Sequence, residues 1–239
     1  MGEITNFSEL YNSRNASRVL TDDYRKQELK ASRPLFDSPL SGGKNSYSFN
    51  ESFFSTLPEG IWNSINGLQE YIEGLLMERK GEAIGIEFGG PGCKLFQGFT
   101  KDLFKKTAGV TLVDKFAGER LSNHTVIEGE ILKKKAYSDI LKWSNGQQID
   151  LIIERMDGAL GLLPNIPTFV YRAFQRWYDL LSEGGVMFVQ IPREVNEGLT
   201  QLHSYIESEC PETIKIKFGG SALRLNKLAG APMNLPNLL

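Results

Sequence analysis

Apolar and polar positions divide the chain into two textures. Up to about residue 58 the sequence is polar and rich in loop formers. Between Ala31 and Pro58, Pro34, Pro39, the pair Gly42-Gly43 and seven serines cluster in a way that favours turns over packed elements. The earlier stretch Phe7 to Lys30, of mixed charge, has room for one or two short helices. From residue 59 the apolar positions become periodic. Ile61, Trp62, Ile65, Leu68, Ile72, Leu75 and Leu76 recur at helical spacing and predict an amphipathic helix ending near Gly81. Ala83 to Phe88 reads as a short apolar strand. A glycine cluster follows, then a second helical pattern carried by Leu95, Phe96, Phe99, Leu103 and Phe104. Gly109 to Asp114, Thr125 to Ile127, Ile149 to Ile153 and Val186 to Ile191 read as four further strands. Helical segments separate them, around Lys135 to Trp143 and along a face made by Val170, Ala173, Phe174, Trp177, Leu180 and Leu181. After a helix around Leu199 to Ser208, two alternating runs, Thr213 to Phe218 and Ala222 to Leu225, flank Gly219-Gly220 and predict a β-hairpin.

Strands alternating with helices predict an α/β fold, a parallel sheet covered on both faces. The near-continuous apolar strands agree, because a strand buried on both sides need not alternate. The expected architecture is a Rossmann-like doubly wound sheet of seven strands, mostly parallel, closed by an antiparallel carboxyl-terminal hairpin. Residues 1–58 form an amino-terminal extension and residues 59–239 a single sheet domain.

Composition narrows the function classes. The 239 residues carry 27 basic and 29 acidic side chains, a net charge of −2, which weighs against a dedicated nucleic-acid binder with a concentrated basic surface. The apolar runs are strand-sized, far below the ~20 residues of a membrane helix. Met1 to Asn6 lacks a basic segment followed by an apolar one, so no signal peptide is expected and the protein reads as cytoplasmic. Cys93 and Cys210 lack disulfide or metal-ligand spacing. With His124 and His203 as the only histidines, no metal site is expected, and all four residues read as structural.

In an open α/β sheet, ligands sit beyond the carboxyl ends of the strands. Four such positions carry chemistry. Glu87-Phe88-Gly89-Gly90-Pro91-Gly92 places an acid before glycines at a strand-to-helix turn. There the backbone can take positive φ and a ligand can approach closely, and the acid can accept from an ammonium or a hydroxyl. A tight turn beside a capping acid is the alternative. Asp114, ending the second strand, occupies the place where an acid commonly holds ribose hydroxyls, or it is a helix cap. Glu128-Gly129-Glu130-Ile131 after the third strand can serve an exocyclic amine and a ring nitrogen. Glu154-Arg155-Met156-Asp157 follows the fourth strand and faces the same crevice. Each signal alone is weak. Their common register, one behind each strand, is stronger.

Over roughly residues 60 to 230 the sequence resembles class I S-adenosylmethionine-dependent methyltransferases. The resemblance is carried by Ile84 to Gly92 as the glycine-rich motif, Val113-Asp114, Ile127 to Ile131, Asp150 to Arg155, and Leu180 to Val186 as the turn into the fifth strand. It implies that S-adenosylmethionine is the cofactor. Glu87, Gly89, Gly90 and Gly92 would then flank its methionine portion and Asp114 its ribose. Glu130 and Ile131 would face the adenine, and Glu154 with Arg155 the transferred methyl. The usual third glycine falls on Cys93. A dinucleotide-binding oxidoreductase would want G-x-G-x-x-G, which Gly89 to Lys94 does not supply.

The sequence favours a small-molecule acceptor, with a protein acceptor as the other option. No N-P-P-Y-like tetrapeptide follows the fourth strand, and no Pro-Cys nucleophile is present. Glu154 and Asp157 are nearest by position to a general base, but neither is assigned that role. Tyr11, Tyr47, Phe49, Phe53 and Phe54 give the extension aromatic residues that would suit a lid over cofactor and acceptor, or would simply pin it to the core. A catalytically silent binding module on the same fold is the alternative function.

Overall fold

The computed structural model describes residues 68–90, 92–100, 102–111, 120–129, 134–154, 167–190, 196–219 and 222–236. The expected extension, and with it the lid residues, lies outside them. Helix α1 (Leu68–Leu76) runs into a 3-10 turn (Met77–Arg79) and strand β1 (Ala83–Phe88). There follow α2 (Cys93–Gln97), β2 (Phe104–Thr111), β3 (His124–Glu128), α3 (Lys134–Ser144), β4 (Ile149–Glu154) and α4 (Pro167–Leu180). The chain then forms β5 (Leu181–Gln190), α5 (Asn196–Glu209), β6 (Ile214–Gly219) and β7 (Ala222–Lys227).

The seven strands make one sheet in the order β3-β2-β1-β4-β5-β7-β6. The pairings β1–β2, β2–β3, β1–β4 and β4–β5 are parallel, while β7 runs antiparallel to both β5 and β6. This is the Rossmann-like, mostly parallel sheet that the alternation of elements predicts. The hairpin does not extend the sheet in sequence order; β7 inserts between β5 and β6, so only β7 is reversed.

Strands β1 and β4 are buried along their whole length, as their unbroken apolar runs require. Two cores result. On one face Ile84, Ile86 and Phe88 of β1 pack with Phe174 and Trp177 of α4 and with Ile140 of α3. On the other, Ile153 and Phe188 pack with Ile72 and Leu76 of α1 and with Leu95 and Phe96 of α2.

Two boundaries differ from the sequence expectation, and a third lies outside the described residues. The second helical pattern ends at Gln97, and Phe104 opens β2 instead of closing a helix. Its spacing survives because Phe96, Phe99 and Phe104 meet in one aromatic cluster, the rings of Phe96 and Phe99 each 5.3 Å from that of Phe104. Tertiary packing, not helical period, placed those rings. The fifth strand begins at Leu181, five residues early, because Ser182 to Gly185 form an irregularity: Ile149 pairs with Leu181, but Leu151 already pairs with Val186. The second strand ends at Thr111 within the described residues, so Asp114 lies beyond them.

Candidate functional site

Strand order reverses between β1 and its two neighbours, β2 on one side and β4 on the other. This switch point is where an open α/β sheet leaves a crevice beyond its carboxyl ends. Glu87 stands there, one residue before the end of β1, and is fully buried. Its register partners are Gly109 on β2 and Ile153 on β4. Gly109 supplies no side chain, so the strand beside Glu87 presents only backbone.

The turn after β1 folds back over this acid. Gly89 adopts φ +90°, a conformation that favours glycine, and its amide donates to the Val110 carbonyl at 3.0 Å. Gly90 lies close over the acid: a Cβ there would stand 3.1 Å from the Glu87 carboxyl, which would have to shift by a few tenths of an ångström. Gly92 combines both demands, with φ +70° and a virtual Cβ 2.9 Å from His124 Cε1 and 3.2 Å from the Ala108 carbonyl oxygen. Gly89 and Gly92 thus answer a backbone demand, and Gly90 lets the turn lie close to the acid. Cys93, in the place of a further glycine, is fully buried at the start of α2.

His124, read as structural from the sequence, sits beneath this turn. Its Nδ1 lies 2.7 Å from Thr107 Oγ1 in a buried hydrogen bond, and its ring is 5.9 Å from that of Phe96. Cys210, the other cysteine, is buried in the core on the opposite face and is not disulfide-bonded.

Glu154 ends β4 and is fully buried. It pairs in register with Phe88, and Ile153 with Glu87. Neighbours in register share a face and successive residues alternate, so Glu87 and Glu154 leave the sheet on opposite faces. Glu87 faces α1 and α2, Glu154 the side of α3 and α4. A ligand could contact both only by crossing the carboxyl edge of the sheet. Asp114, Glu130, Ile131, Arg155 and Asp157 lie outside the described residues.

A third buried acid carries a different environment. Asp150, at the amino end of β4, accepts from the Ile84 amide at 2.9 Å through Oδ2 and from Ser182 Oγ at 2.6 Å through Oδ1. Arg79 Nη2 stands 3.1 Å from the same Oδ1 and also donates to the Glu183 carbonyl. The cluster ties together β1, β4 and β5 and the turn after α1.

Neither a protein-family model nor a curated protein sequence matches the chain. Among solved structures it is similar to the MycE methyltransferase of the mycinamycin biosynthetic pathway in complex with Mg and SAH: 14% identity and TM-score 0.49, covering 93% of this chain and 63% of MycE. In another crystal form of MycE the match covers 48% of that chain, so this chain spans about half its length. It is also similar to the N-methyltransferase NodS from Bradyrhizobium japonicum WM9, at 16% identity and TM-score 0.44 over 67% of this chain and 94% of NodS. An rRNA methylase from Streptococcus thermophilus is similar at 14% identity and TM-score 0.43, over 69% of this chain and 99% of that one.

Proposed function

We propose that the chain is an S-adenosylmethionine-dependent methyltransferase, moving a methyl group to an oxygen or nitrogen of a small-molecule or protein acceptor. The observation that supports this best is Glu87 at the switch point, buried under a glycine turn whose Gly90 lies against its carboxyl. A carboxylate so placed suits the ammonium of an amino-acid moiety. Gly89 and Gly92 shape the turn around it, and the motif resemblance assigns the ribose to Asp114 and the adenine side to Glu130 and Ile131. Glu154 would approach the transferred methyl from the other face. When bound, the cofactor supplies an activated methyl on a sulfonium; the protein contributes alignment and exclusion of water. Residues 1–58 would provide the lid. Structures of similar fold are named as methyltransferases, among them MycE with SAH, which agrees with the reading without deciding it.

Calorimetry with S-adenosylmethionine and with SAH tests the proposal. Saturable binding lost in Asp114→Ala is expected, and absence of binding at millimolar ligand would sink the reading. Binding without turnover across a broad acceptor screen would instead indicate the silent binding module. Deletion of residues 1–55 tests the lid: a folded truncation with full activity removes it.

A further inference from the structure

One register row crosses the whole sheet near its carboxyl end: Val126, Gly109, Glu87, Ile153, Phe188, Arg224 and Lys217, one residue on each strand. Residues in one row point to one face. The row therefore carries an acid at the switch point and, three strand spacings or roughly 14 Å away, two cations side by side.

Those cations are unusual. Lys217 and Arg224 are directly opposite on the antiparallel pair β6–β7, an arrangement that like charges disfavour. Among the described residues no carboxylate pairs with either. Arg224 is only 6% exposed, and among the described residues its Nε and Nη1 have no hydrogen-bond partner. Its one close contact of note is the face of Tyr71, with the guanidinium carbon 5.1 Å from the ring centroid. Burial pulls the guanidinium below its ordinary value, an effect that nearby Tyr71 only partly opposes. A guanidinium stays charged in proteins, and a buried charge without acceptors is costly to keep. Contrast Lys227, equally buried on the same strand, whose Nζ donates to the carbonyls of Tyr178 and Leu181 at 3.3 and 3.1 Å. Among the described residues one buried cation of β7 finds acceptors for its charge, while Nε and Nη1 of the other do not.

We infer that Arg224 and Lys217, rimmed by Tyr71, form a subsite for an anionic oxygen group, a carboxylate or a phosphate, borne by the methyl acceptor. The guanidinium offers planar donors suited to either group, the Lys217 ammonium a second charge, and the Tyr71 hydroxyl a neutral donor. Lys217 and Tyr71 are half-buried, so the rim is reachable. The assignment of the anion to an acceptor rests on the methyltransferase reading; the anion site itself does not.

The test is an NMR titration of the full-length protein, following the arginine Nε–H resonances at constant ionic strength with inorganic phosphate in one arm and acetate in the other. A saturable shift of the Arg224 signal at concentrations up to about 10 mM is expected. Phosphate binding the tighter indicates a phosphorylated acceptor, acetate the tighter a carboxylic acid. Arg224→Met should remove the response, and Lys217→Ala, at a half-exposed position, should weaken it about threefold. SAH affinity measured by calorimetry should stay the same in both variants. If neither anion shifts Arg224 while SAH binds, the subsite is overturned and the methyltransferase reading stands. If the anions bind and SAH does not, the reading fails and the subsite remains as an anion site. The wild-type titration decides the matter even if Arg224→Met fails to fold.

Discussion

Two buried carboxylates on neighbouring strands mark the two ends of the sheet. Asp150 enters β4 and Glu87 leaves β1, and both are nearly or fully sequestered from solvent. Around Asp150 the protein closes in: a backbone amide, a serine hydroxyl and an arginine converge on its two oxygens. Beside Glu87, Gly109 in register and Gly90 in the turn bring backbone close to the acid. The same chemical group thus does opposite work. At the amino end an acid with several internal partners fastens three strands and a turn. At the carboxyl end the acid lies between Gly109 and Ile153 in register and beneath Gly90, where the proposed cofactor would reach it. Substitutions should separate the two.

The largest expected loss of stability is at the closed end. Asp150→Ala leaves the Ile84 amide, Ser182 and Arg79 without their shared acceptor, and should cost about 3 kcal/mol in denaturant unfolding. An unchanged midpoint would mean that the cluster fastens nothing. Gly92→Ala comes next. Left-handed backbone and contact with the Ala108 carbonyl are both unfavourable for a side chain, together about 2 kcal/mol, with cofactor binding weakened as the turn shifts.

Glu87→Gln inverts the pattern. Stability should change by less than about 1 kcal/mol, since the amide keeps the shape of the carboxyl and can still hydrogen-bond. S-adenosylmethionine affinity should fall by about tenfold or more, the size of a lost charge-assisted hydrogen bond. A variant that unfolds like Asp150→Ala yet binds the cofactor normally would erase the distinction between the two ends.

The two ends also differed in how legible they were. Glu87 and its glycines stand out in the sequence because an acid before a glycine-rich turn after an apolar strand is a local pattern. Asp150 does not, because its partners Arg79, Ile84 and Ser182 are brought together by the sheet, not by sequence proximity. The strands themselves were readable since burial on both faces leaves near-continuous apolar runs. Phe104 was misread as helical because an aromatic cluster mimicked a helical period. Arg224 was invisible for a third reason. In Ala222 to Lys227, alternation suggests a solvated polar face, and only the insertion of β7 between β5 and β6 buries it. The face on which Glu154 leaves the sheet was likewise a matter of register, unreadable from β4 alone.

The smallest expected effect lies at neither end and serves as the control for both. Tyr171 and Tyr178 of α4 donate their hydroxyls to the carbonyls of Pro236 and Pro232, each at 2.6 Å, and so strap the carboxyl-terminal segment to the helix. Burial pushes the Tyr171 phenol up to about 12, and that of Tyr178 still higher. The native state therefore keeps protons that the unfolded chain releases from about pH 10 upward. When the unfolded state binds fewer protons than the native one, stability falls as pH rises. The unfolding midpoint should thus decline as pH climbs from 10 towards 12, and the decline should flatten in the Tyr171→Phe, Tyr178→Phe double variant. At neutral pH that variant should lose about 1 kcal/mol per hydrogen bond or less, with S-adenosylmethionine affinity unchanged. An equal drop in affinity would mean that any loss of stability disturbs the cofactor crevice, and the Glu87→Gln result would then no longer single out the carboxyl end.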